Sequence, residues 1–182
     1  MRSTLCILSG AFLTLFIQAT QAPAFAKNGY DKYANRLIKG LPGDARIRPD
    51  LEAYLSRLAS DARIQAGKRG LKHSKLVTKA ARAQAAEMVR GNFVGHQSRG
   101  GYSFQDRLKP YTGHRYSYWG ENAARDRLPG AATKKKAKRL FKMWMASRGH
   151  RRNLMRSSFS YVSTGVVQKG NSIYAIQIFW EK

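Results

Sequence analysis

The hydrophobic period changes along this chain, and that change limits what it can fold into. Up to about residue 147 apolar side chains recur at helical spacing, whereas Tyr161–Gln168 and Ser172–Trp180 are runs of β-branched and aromatic residues. Lys169-Gly170-Asn171 joins the two runs, and its Gly-Asn pair suits a tight hairpin. Helices followed by an antiparallel hairpin predict an α+β layered domain. No repeat interrupts the pattern, and the one low-complexity tract is a short lysine run at Lys134–Lys136.

Within the helical part, Leu51, Tyr54, Leu55, Leu58 and Ala62 predict a helix over 51–66, with Asp50 as N-cap and Gly67 as its stop. A second helix is expected over 75–90, ended by Gly91-Asn92; its many alanines imply close approach to a neighbour. Ser103-Phe104-Gln105-Asp106 resembles a capping box and predicts a short helix over 104–108, before Pro110. Residues 133–147 form a fourth, with Ala137, Leu140, Phe141, Trp144 and Met145 inward and Lys134, Lys135, Lys136, Lys138 and Arg139 on a solvated face. Tyr116–Trp119 is a candidate third strand. Residues 27–49, rich in Gly, Pro and charge, are expected to be an exposed basic arm with at most a helical turn over 33–38.

The first 26 residues have the features of a leader rather than of a fold. Arg2 precedes the apolar run Leu5–Ile17, and Ala24-Phe25-Ala26 supplies a small-x-small cleavage pattern. The run is shorter than the roughly 20 residues a membrane span needs. The mature chain is therefore expected to be 27–182, with no transmembrane segment, exported to the periplasm or beyond. Its 156 residues would carry a net charge of +23 and no cysteine, because the one cysteine, Cys6, leaves with the leader. Disulfides, a thiol nucleophile and thiolate metal sites are thereby excluded, and the core must hold by burial alone. So large a positive charge draws anionic partners.

Four histidines are available for chemistry. His73 and His114 sit in loop-like settings and are expected to face solvent. His96 and His150 each follow a helix end, and Glu121 stands out in a chain with only ten acidic residues. A carboxylate can hold an imidazole in one tautomer or join it around a metal. The spacings among His96, Glu121 and His150 are long and form no local metal motif, so separate structural hydrogen bonds remain the plainer account. No Gly-x-Ser-x-Gly elbow and no phosphate-binding glycine loop are present.

Four segments in order carry a resemblance. Phe93-Val94-Gly95-His96, Ser103-Phe104-Gln105-Asp106-Arg107, Gly120-Glu121-Asn122-Ala123 and Trp144–Leu154 (with Ser147-Arg148-Gly149-His150-Arg151-Arg152-Asn153) are similar to the motifs of the CAP domain. This is the family of cysteine-rich secretory proteins, insect-venom antigens and plant pathogenesis-related proteins, and the likeness over 50–182 is to its short, cysteine-free bacterial branch. The resemblance implies an α-β-α sandwich, with helices on both sides of a small antiparallel sheet. It also implies a cleft lined by His96, Glu121, His150, Ser147 and Asn122. Many relatives have a glutamate where Ser147 stands, so the full tetrad is absent. The resemblance leaves room for zinc or magnesium on His96, Glu121 and His150 without requiring either.

The family shares no single reaction, so function has to come from the site. The leading expectation is a non-enzymatic module that binds an anionic envelope component or lipid, with Arg148, Arg151, Arg152 and Arg156 flanking the cleft as forks for phosphate or carboxylate. The alternative is a hydrolase in the same cleft, metal-assisted or using His/Glu acid–base chemistry. Nucleic acid would bind through charge alone, without specific recognition.

Overall fold

A computed structural model of the chain describes residues 25–112 and 118–181. The apolar leader and His114 lie outside them. Six helices and a five-stranded sheet occupy the described residues, in the order α1 (Phe25–Lys39), β1 (Arg46–Ile47), α2 (Pro49–Gln65), β2 (Lys72–His73), α3 (Thr78–Gly91), α4 (Phe104–Thr112), β3 (Trp119–Asp126), α5 (Lys134–Ala146), α6 (Arg148–Met155), β4 (Tyr161–Lys169) and β5 (Ser172–Trp180). The sheet runs β1-β4-β5-β3, all antiparallel, with β2 added in parallel against β4.

The centre of the molecule is β5, buried from Ile173 to Trp180. Side chains alternate across a strand. Ile173, Ala175 and Phe179 therefore meet α2, α5 and α6 through Leu51, Leu55, Leu140, Trp144 and Leu154. Tyr174, Ile176, Ile178 and Trp180 meet the alanines of α3 and, beyond them, α1 and α4. The result is an α-β-α sandwich of the α+β class, with two apolar cores separated by one sheet.

The alanine-rich face of α3 has a definite counterpart. A Cβ on Gly165 in β4 would lie 2.3 Å from the backbone nitrogen of Arg82 and 2.4 Å from the carbonyl carbon of Ala81. Helix backbone and strand backbone are in direct contact there. The hairpin also forms as expected, with Gly170 at φ 54° between β4 and β5.

Several local expectations are corrected. The exposed basic arm is largely helix α1, and it belongs to the fold: Tyr30, Ala34 and Leu37 are buried against α3 and α4. These apolar positions recur every three or four residues, a spacing hidden by the glycines and lysines around them. Asp50 is not the N-cap of α2; Pro49 takes the first helical position and Arg48 the cap. Asp50 sits instead in the first turn and accepts Arg48 Nε and Nη2 at 2.9 and 2.7 Å. Ser103 and Asp106 do form the reciprocal box (Asp106 N–H to Ser103 Oγ, 3.2 Å), but α4 continues through Pro110 to Thr112. The third strand is Trp119–Asp126, so Glu121 lies within it; residues 116 and 117 of the expected strand lie outside the described residues. Lys136 is not on the solvated face: it is buried, and its ammonium donates to the Leu128 carbonyl (2.7 Å) and to that of Asn171.

Candidate functional site

Three chain segments converge at one end of the sheet. His96 follows the C-terminus of α3, where Asn92 turns the chain with φ 51°. Glu121 and Asn122 are the third and fourth residues of β3, and His150 is the third residue of α6. Gly120 permits this meeting, because a Cβ there would lie 3.1 Å from the Phe159 ring and 3.3 Å from the Asn153 side-chain amide. Helix α6 carries no apolar period that would announce it, since its sequence RGHRRNLM has one buried side chain, Leu154.

Glu121 is the hub. Its side chain is buried, and both carboxylate oxygens are engaged. Oε2 accepts Arg107 Nη1 at 2.9 Å, and Oε1 accepts Arg107 Nη2 at 3.0 Å while lying 2.9 Å from His96 Nδ1. Arg107 is itself fully buried and gives a third hydrogen bond to the His96 carbonyl at 2.9 Å. One guanidinium therefore fixes both the carboxylate and the backbone of the histidine beside it. With Nδ1 donating to Glu121, the Nε2 edge of His96 faces outward on a half-exposed side chain.

His150 is held through amides. Asn122 Nδ2 donates to the His150 carbonyl (3.1 Å), and Asn153 Nδ2 donates to the Glu121 carbonyl and to Asn122 Oδ1, both at 3.1 Å. Burial pushes the His150 imidazole below the ordinary histidine range, and the neighbouring His96 pushes it the same way. The two histidines are thus within electrostatic reach of each other. Ser147 caps α6 by backbone alone; its carbonyl accepts Arg151 N–H at 2.9 Å, and its hydroxyl makes no cap hydrogen bond.

All four flanking arginines are exposed. Arg151 reaches the Met145 carbonyl (3.2 Å), and Arg156 stacks over Tyr118 at 5.4 Å, leaving Arg148 and Arg152 directed to solvent. Arg107 and Asn153 do not stand out in the sequence, although both lie inside the quoted motifs. In a chain with 34 basic residues an arginine reads as surface by default. Its burial cannot be anticipated without knowing its partner.

The donor set does not suit a divalent ion. Glu121 would bring its two oxygens to the metal with a guanidinium already about 3 Å away on both of them. Among the described residues, no group of three His, Cys, Asp or Glu side chains is arranged to hold a metal.

The motif order and the sandwich agree with the comparisons with known proteins. The cysteine-rich secretory protein family, CAP, matches residues 57–180. The chain belongs to this family. The uncharacterized protein YkwD of Bacillus subtilis is 30% identical over 124 residues, which cover 66% of this chain and 45% of YkwD. An extracellular protein containing an SCP domain from Bacillus anthracis superposes with a TM-score of 0.60 at 22% identity, over 74% of this chain and 41% of that one. An outer surface protein of Borrelia burgdorferi gives a TM-score of 0.62 at 14% identity, over 73% of this chain and 93% of the other. The CAP chain described here spans less than half the length of YkwD and of the anthracis protein. Its helix α1 precedes the matched region. No helix among the described residues is long and apolar enough to cross a membrane.

Proposed function

We propose that this CAP protein is an exported, non-enzymatic module that binds an anionic envelope or lipid ligand at the His96–Glu121–His150 cleft. The observation that carries the reading is the state of Glu121. Its oxygens are tied to Arg107 and His96, so it acts as an internal counter-ion and is not free to serve as base or ligand. What the site offers outward is cationic and donor chemistry: the His150 ring and the forks of Arg148 and Arg152, which have no ion pair among the described residues. Such groups receive phosphate or carboxylate oxygens. Export is supported by the leader pattern and by relatives described as extracellular or outer-surface proteins.

The test is binding of the full chain to isolated bacterial envelopes across a salt series. An Arg148→Glu/Arg152→Glu variant should lose the salt-resistant fraction, and a Lys138→Glu/Lys142→Glu variant of equal net charge should keep it. Parallel loss in both variants would reduce the attachment to surface charge, as would equal binding to any DNA.

One observation favours a second reading, acid–base hydrolysis. The Glu121–His96 pair leaves Nε2 of a half-exposed imidazole placed to take a proton from water or a substrate hydroxyl. Hydrolytic turnover that disappears in a folded His96→Asn variant would decide for it.

A further inference from the structure

A cavity of about 640 Å³ opens at the other end of α3 from the histidine cleft. Its walls are the last turns of α1, the start of α2, β2 with the loop behind it, and the first two turns of α3. Helix α3 has 14 residues and is thus about 20 Å long, so the cavity and His96 stand at opposite ends of it. Six of the eleven lining residues precede residue 57, where the family match begins. The cavity is therefore built in large part from segments outside the matched CAP region.

Its chemistry is two-sided. Ile38, Pro49 and Ala53 give an apolar wall, and Lys39, Lys75, Lys79 and Arg82 give four cations against one lining carboxylate, Glu52. That carboxylate is buried and fully employed. It takes Arg82 Nε and Nη2 at 2.8 and 2.6 Å, and the Val166 N–H at 3.1 Å. Arg82 is thus locked in orientation, while its Nη1 has no protein acceptor among the described residues. Lys79 is paired with Asp31 at 2.8 Å, just outside the lining. Lys39 and Lys75 have no ion pair among the described residues. One fixed guanidinium edge and two ammonium groups without an ion pair among the described residues thus line one open cavity with an aliphatic wall. The volume falls within the range of about 300–1,000 Å³ typical of small-ligand clefts.

We propose that this cavity is a second binding site, for a phosphomonoester carrying an apolar group. The phosphate dianion is matched to Arg82, Lys39 and Lys75, and the apolar group lies against Ile38 and Ala53. A fixed fork plus mobile ammonium groups is the usual protein answer to phosphate, and the excess of cations suits a dianion better than a single carboxylate. The head could belong to a soluble ester or to a lipid, and the test separates them.

Titration calorimetry of the full chain with n-hexyl phosphate should give a Kd below about 1 mM. Inorganic phosphate should bind about tenfold more weakly, the increment expected from burying roughly two methylenes. Lys39→Glu/Lys75→Glu, both exposed positions, should weaken hexyl phosphate about tenfold or more, while Lys138→Glu/Lys142→Glu, with the same net charge, should not. Sedimentation with vesicles containing phosphatidic acid then assigns the source: loss with the Lys39/Lys75 variant indicates a lipid head group, and no change indicates a soluble ester. Hexyl phosphate binding no tighter than inorganic phosphate, or equally weakened by both lysine variants, would overturn the proposal. Failure here leaves the histidine cleft untouched, since its binding is read by Arg148 and Arg152.

Discussion

Removing the charge of Glu121 while keeping its shape should unfold this protein far more readily. In Glu121→Gln one oxygen becomes an amino group, and either orientation of the amide sets N–H against N–H. With oxygen at the Oε1 position, the new amino group faces Arg107 Nη1; with oxygen at Oε2, it faces Arg107 Nη2 and His96. The Arg107 guanidinium is fully buried and loses its only charge partner within hydrogen-bond reach among the described residues. Breaking a buried pair from one side costs roughly 3–5 kcal/mol. With a urea m-value of about 2 kcal/mol/M, the midpoint should fall by on the order of 2 M. The assay is urea unfolding followed by tryptophan fluorescence, since Trp119 lies two residues from Glu121 and pairs with Trp180 of β5. The partner variant Arg107→Met should cost a similar amount. The double variant Arg107→Met/Glu121→Leu should cost less than either single change, because no uncompensated charge is left in the interior. Nitrogen NMR of His96 gives an independent readout: its preference for a proton on Nδ1 should disappear in Glu121→Gln. A midpoint within about 0.5 M of the parent, or a double variant that costs more than either single change, would refute the argument that Arg107 and Glu121 are one unit.

Gly165→Ala should destabilise by about 3 kcal/mol or more, read by the same unfolding curve, because its Cβ would meet the α3 backbone at 2.3 Å and a helix cannot yield as a side chain can. Arg63→Met should cost on the order of 3 kcal/mol and loosen amide exchange around α6. Buried Arg63 donates to the carbonyls of Arg69, Leu154, Arg156 and Phe159 at 2.7–3.2 Å, and each of those acceptors would lose a donor. Stability should decline as pH falls from about 7.5 toward about 5.5, in part through His150. Its folded pKa lies below the unfolded value, so the unfolded chain takes the proton first, and the contribution is full above the unfolded pKa and lost as pH falls. His150→Gln should flatten that decline in thermal melts recorded across the window. An anion bound beside His150 favours its charged form, so envelope binding should strengthen over the same fall in pH.

Patterns that act locally were legible from residues alone. The two long strands and their turn followed from β-branched runs around Gly170-Asn171, the capping box from Ser103 and Asp106, and the close helix–sheet contact from the alanines of α3. Period and turn chemistry depend on near neighbours, which the sequence displays directly. The motifs likewise named His96, Glu121, His150 and Asn122 together, and the fold brings them to one end of the sheet. What no local pattern could show was which charges are interior. Arg63, Arg107 and Lys136 are as basic as any of the chain's other cations, yet each is buried because a carbonyl or carboxylate from a distant segment meets it. Helix α1 entered the core for the same reason, since the partners of Tyr30 and Leu37 lie on α3 and α4. Desolvating a charge is tolerable only where several fixed acceptors converge. That convergence is a property of three dimensions, and it is what pairs Glu121 with Arg107 in the interior.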